Sequence, residues 1–123
     1  ETEISINRAE QALENGAPEE AVRILRKLMH DQGKDAEIMA LLGEALVEAG
    51  HLEEASKVLE DVVKQLPEEL DLQFELGDVY FELGHPEKAC AVYEALLVNE
   101  PGQTDARVSL GLVHYHQERM EEA

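Results

Sequence analysis

Two Glu-x-x-His pairs, Glu48–His51 and Glu82–His85, are the residues of this chain best suited by type and spacing to chemistry. On one continuous helix that spacing turns a carboxylate and an imidazole to the same side, the arrangement that supplies ligands in di-iron bundles. The intervening residues defeat it. Gly50 and Gly84 fall inside the pairs, where glycine ends a helix, so each His is expected in the turn that follows. His114 and His116 are two residues apart, about 200° of helical rotation, and so cannot share a metal. Cys90 is the single cysteine. A reactive cysteine needs a nearby His and a depressed pKa, and nothing around Cys90 offers either, so a structural thiol is expected. Glycine-rich phosphate loops, Gly-x-Ser-x-Gly and His-Glu-x-x-His are missing from the sequence. The expectation is therefore a non-enzyme, with no catalytic residue, metal or cofactor.

Charge narrows the partners. The 123 residues hold 28 acids against 10 Lys and Arg, a formal net charge of −18. Phosphate backbones and anionic lipid both require a basic face, which argues against nucleic acid and against direct membrane binding. Hydrophobic residues make up 44% and are spread along the chain, enough for a core, while aromatics at 4% require that core to be aliphatic. No apolar run approaches the roughly 18 residues of a membrane span, and no basic segment leads into an apolar stretch as in a signal peptide. Together with the lone cysteine this fits a reducing, cytoplasmic setting. A first residue of Glu1 rather than Met suggests a processed or excised segment.

The elements that must carry these residues repeat. Shifted by 34 positions, Pro18-Glu19-Glu20-Ala21 falls on Leu52-Glu53-Glu54-Ala55, then on Pro86-Glu87-Lys88-Ala89, then on Met120-Glu121-Glu122-Ala123. Further columns are Ala9, Gly43, Gly77, Gly111; Gly16, Gly50, Gly84; Leu25, Leu59, Tyr93; and Gly33, Pro67, Pro101. The units are 2–35, 36–69, 70–103 and a partial 104–123, one array over 1–123. Met39, Leu42, Gly43 and Leu46 share one helical face, and Ala55, Leu59, Val62, Val63 and Leu66 mark the inner face of a second helix. Pro18 and Pro86 open second helices, where proline costs nothing. The small columns let paired helices approach closely. Residues 104–117 are expected as a first helix whose partner would begin near Met120, which would leave Leu110, Val113 and His114 short of cover. His114 shares the column of Leu46 and Tyr80 and is expected packed; His116 shares that of Glu14, Glu48 and Glu82 and is expected to face outward.

Met39-x2-Leu42-Gly43-x2-Leu46 and Gln73-x2-Leu76-Gly77-x2-Tyr80, followed by Ala55-x3-Leu59 and Ala89-x3-Tyr93 and closed by Pro67 and Pro101, resemble the tetratricopeptide repeat. The departures are Met39 or Gln73 for the family's Trp, Arg8-Ala9 for Leu-Gly in the first unit, and Gly33 for its closing Pro. The resemblance implies an all-α fold, a right-handed superhelical solenoid of antiparallel helix pairs. It also implies that the first helices line a concave groove holding a peptide. The family's carboxylate clamp for chaperone tails uses Lys, Arg and Asn. The matching positions hold Ile6, Glu10, Leu41, Asp71 and Glu75, with only Asn7 nearby, so a peptide carboxylate would be repelled.

Opposite the buried face, three columns of the first helices are acidic in every complete unit: Glu3, Glu37, Asp71; Glu10, Glu44, Asp78; and Glu14, Glu48, Glu82. Two apolar columns flank them: Ile6, Ala40, Phe74, Val108, and Leu13, Val47, Phe81, Tyr115. The second unit has nine acids to two bases and the third seven to one. The expected function is a non-catalytic scaffold that holds a basic or amphipathic protein segment in this groove, with Phe74 and Phe81 as exposed anchors. The first alternative is a regulatory or substrate-recruiting segment of a larger enzyme. The second is a self-assembly module that stacks through incomplete repeats, self-associating at the C-terminal partial repeat.

Overall fold

The computed structural model describes residues 2–122, and among them it holds seven α-helices and no strand. Glu1 and Ala123, which the repeat reading includes, lie outside the described residues. The backbone divides into two compact units, Glu1–Leu66 and Pro67–Ala123. The first holds α1 (Thr2–Glu14), α2 (Pro18–Gln32), α3 (Ala36–Glu48) and α4 (Leu52–Gln65); the second holds α5 (Leu70–Glu82), α6 (Pro86–Asn99) and α7 (Thr104–Glu122).

One turn joins the helices within each pair. Gly16, Gly50 and Gly84 take φ of +75°, +84° and +83°, left-handed values at which a side chain would be strained. The amides of Ala17, His51 and His85 then donate to the carbonyls of Ala12, Leu46 and Tyr80, closing a Schellman-type cap that reverses the chain. Residue types dictate the other ends. Asp35 caps α3 by accepting from the amides of Glu37 and Ile38, at 2.9 and 3.4 Å. Pro18 and Pro86 occupy the first turns of α2 and α6.

In the first unit, α1 packs on α2, α2 on α3 and α3 on α4, with a lighter contact of α1 on α3. The core is aliphatic, with Leu25, Leu46, Leu59 and Val62 fully buried between Ala9, Ala21, Ala45 and Ala55. A Cβ on Gly43 would stand 2.8 Å from Cδ2 of Leu59, so the small column is where α3 and α4 touch. In the second unit α6 packs on both α5 and α7. Its largest fully buried side chain is Tyr93, and a Cβ on Gly77 would stand 2.5 Å from that ring. Gln73 and Arg107, 34 residues apart, donate to the carbonyls of Pro67 and Pro101, tying each first helix to the proline before it.

The last helix departs from the expected plan. The first helices α1, α3 and α5 have 13 residues each, whereas α7 has 19 and runs through the place where a turn and a partner helix were expected. Its residue in the turn-glycine column is Glu118, which favours continued helix. His114 is exposed, contrary to the packed histidine expected from its column, because no second helix follows α7 among the described residues. Val113 is nonetheless fully buried and Leu110 half-buried. Gly111 has nothing within 4 Å of where a Cβ would stand.

Candidate functional site

The acidic columns have different fates in the two units. In the first, helix spacing puts Glu10 and Glu14 on one stripe of α1, and Glu44 and Glu48 on one stripe of α3. The two stripes and Leu13 and Leu41 line an open cleft of about 400 Å³. Burial raises the proton affinity of Glu44 above the usual carboxylate range, and the charges of Glu48 and Glu10 raise it further. The residue as a whole is exposed and lines the cleft beside Glu48 and Glu10. Four carboxylates around two aliphatic side chains concentrate negative charge in one cleft, a repulsion that an incoming cation would relieve. Ile6, Leu13 and Val47 are half-buried and pack against the aliphatic core. Glu3 and Glu37 are exposed in the first turns of α1 and α3, where the helix dipole favours acids.

In the second unit Asp78, the counterpart of Glu44, accepts a hydrogen bond from the Tyr93 hydroxyl. Burial raises the Asp78 pKa, the Tyr93 bond partly offsets that, and Glu82 adds to it. Tyr93 is driven well above the ordinary phenol range by burial and then by Asp78, while Ser109 hydrogen-bonds the same hydroxyl. Phe74 is half-buried against Tyr93, ring centroids 5.8 Å apart. Phe81 is half-buried with its ring edge-on to His116 at 5.5 Å. The two phenylalanines expected as exposed anchors therefore spend much of their surface on neighbouring rings. Asp71 and Glu82 are exposed. Tyr115 is 58% exposed and lies on α7 beside Val108 and Leu112, which are 57% and 56% exposed.

The residues singled out for chemistry are dispersed. His51 pairs through Nε2 with Glu19, at 2.9 and 3.1 Å from its two oxygens, and Glu48 is not its partner. Cys90 is half-buried, and burial with Glu94 and Glu87 pushes its thiol up, away from reactivity. Among the described residues no three of His, Cys, Asp or Glu gather as metal ligands, and no helix is long and apolar enough to cross a membrane.

Sequence reasoning missed a basic face on the first unit. Arg8, Arg23 and Lys27 line a second cleft, of about 500 Å³, together with Ile24, Leu28 and a single acid, Asp31. The signal was the five bases of the first repeat unit, set against only two in the next.

Tandem helix pairs with shared turns and open, charged clefts define a helical-repeat binding platform. The chain belongs to the tetratricopeptide-repeat family, which residues 12–73 and 74–123 both match. Members of this family are generally non-catalytic protein-interaction scaffolds. Solved structures of MamA share the fold. A crystal structure of MamA gives a TM-score of 0.88 at 24% identity, over 96% of this chain and 69% of that one. MamA 41-end from Desulfovibrio magneticus RS-1 gives 0.86 at 28% identity, over 98% and 68%. Among curated proteins none matches.

Proposed function

We propose that the chain is a non-catalytic interaction scaffold whose α1–α3 cleft receives a basic or amphipathic protein segment. The observation that carries this reading is the convergence of Glu10, Glu14, Glu44 and Glu48 on Leu13 and Leu41, with the proton affinity of Glu44 raised by burial and then by the charges of Glu48 and Glu10. A Lys or Arg entering the cleft relieves that repulsion, at roughly 0.5–1 kcal/mol per rim pair, and an apolar side chain on Leu13 and Leu41 slows release. Ile6, Val47, Glu3 and Glu37 border the same helices. In the second unit Asp71, Phe74, Phe81, Glu82 and Tyr115 are the residues a ligand would meet. The bond from Tyr93 leaves Asp78 a smaller part than Glu44.

The experiment is titration of a fluorescent Lys/Leu amphipathic peptide at 50 and 300 mM salt. The reading expects weaker binding at high salt and a loss of about tenfold on Glu44→Lys. Salt-independent binding, or none, would count against it. A second reading, self-association through α7, is favoured by the exposure of Val108, Leu112 and Tyr115.

A further inference from the structure

The outward face of α7 carries five side chains within about 80° of arc at 100° per residue: Asp105, Val108, Leu112, Tyr115 and Arg119. Its buried face is the opposite one, built on Ala106 and Val113, both 0% exposed. The outward stripe is therefore a surface in its own right. Its order matters more than its composition. Asp105 lies seven residues before Leu112 and Arg119 seven residues after it, with Val108 and Tyr115 four before and three after.

That order is self-complementary. When two such helices run antiparallel with Leu112 on Leu112, each position before the centre faces the equivalent position after it. Asp105 of each copy then meets Arg119 of the other, about 10 Å from the centre at 1.5 Å per residue. Val108 and Tyr115 fall one residue, about 1.5 Å, out of direct register and still adjoin, and the two Leu112 side chains meet on the axis. Arg119 is already laid along the stripe: its Nη1 donates to the Tyr115 hydroxyl at 3.2 Å and its guanidinium lies 5.7 Å from that ring centre. A two-fold interface requires each patch to complement itself, and a stripe with an acid at one end, a base at the other and an apolar middle does so.

We propose that α7 is an isologous dimer surface, paired antiparallel with α7 of a second copy about Leu112. This deepens the self-association reading and replaces end-to-end stacking with a closed two-fold pair. It is independent of the α1–α3 cleft. Five side chains per copy fall short of the area a stable dimer buries, and the −18 net charge of each copy opposes approach. The dimer is accordingly weak, with a Kd on the order of 100 μM.

The test is sedimentation velocity on the full chain from 5 to 500 μM in 150 mM salt, with circular dichroism confirming helicity of every variant. The expected mass rises from 13.7 kDa toward twice that value and no further. Leu112→Glu weakens dimerisation more than tenfold. Asp105→Arg and Arg119→Asp each weaken it about fivefold, and the double reversal restores it to within twofold. A chain monomeric at 500 μM, masses beyond the dimer, or a double variant no better than the singles would overturn the proposal. Peptide titration of Leu112→Glu separates the two readings, because cleft binding persists in that variant if only the dimer depends on α7.

Discussion

The same three repeat positions do different work in the two units. In the first, Gly43 lets α3 sit against Leu59, and the neighbouring Glu44 is left to face a cleft with three other carboxylates. In the second, Gly77 lets α5 sit against Tyr93, whose hydroxyl reaches Asp78 and is also bonded by Ser109 of α7. Replacing Leu59 by Tyr93 thus converts an outward acid into a structural acceptor. The lesson is that an acidic column in a repeat protein is not one surface. Whether a carboxylate is available to a ligand depends on what the paired second helix places beside it.

The largest expected effect probes the close approach itself. Gly77→Ala drives a methyl into the Tyr93 ring, within 3.0 Å of three of its atoms, and a packed aromatic cannot yield as an aliphatic terminus can. It should destabilise the protein by about 2 kcal/mol in urea denaturation. Gly43→Ala meets the movable end of Leu59 and gains helix propensity, so it should stay within about 1 kcal/mol of the parent. Adding Tyr93→Leu to Gly77→Ala should recover most of the loss. Equal costs at the two glycines would erase the distinction between the units.

Next comes the hydroxyl. Tyr93→Phe removes the donor from half-buried Asp78 and should cost about 1–2 kcal/mol. A smaller effect follows from Glu44. Its folded pKa is raised above the ordinary 4.5, so the native state binds a proton more readily than the unfolded chain. Stability from this group is therefore greatest at low pH and falls as pH rises through the window just above 4.5. Glu44→Gln should flatten that part of the Tm–pH curve and, at pH 7, stabilise by no more than about 0.5 kcal/mol. Glu53→Gln, on the exposed start of α4, should leave the curve unchanged. A small effect is also expected of the Arg26–Glu54 ion pair, about half-exposed on both sides. A double-mutant cycle to Ala should return about 0.2–1 kcal/mol, diminished by salt.

Much of the fold was legible because close helix packing leaves a mark on residue size. Gly43 and Gly77 recur where a second helix makes its close approach, and Gly16, Gly50 and Gly84 recur because their turns need positive φ. The tetratricopeptide resemblance rests on these columns. The candidate site was legible only as a list of outward positions. Period alone cannot say that Phe74 leans on Tyr93 or Phe81 on His116, since those contacts depend on neighbouring helices. The pairing of Asp78 with Tyr93 did leave a trace, as Glu44 and Leu59 change together 34 residues on. For His114 two expectations pulled apart: its column implied packing and the want of a following helix implied lost cover, and the exposed side chain follows the second. The extension of α7 could have been read from Glu118 standing where the other units have glycine.

The claim that the α1–α3 cleft, rather than overall charge, receives the ligand is tested most directly by comparing charge reversals of equal size at two places. Peptide affinity and association rate would be measured for Glu44→Lys, in the cleft, and Glu53→Lys, outside it. Glu44→Lys should bind about tenfold more weakly and associate more slowly, with less than a twofold change for Glu53→Lys. Equal weakening by both would contradict it, reducing the interaction to net charge.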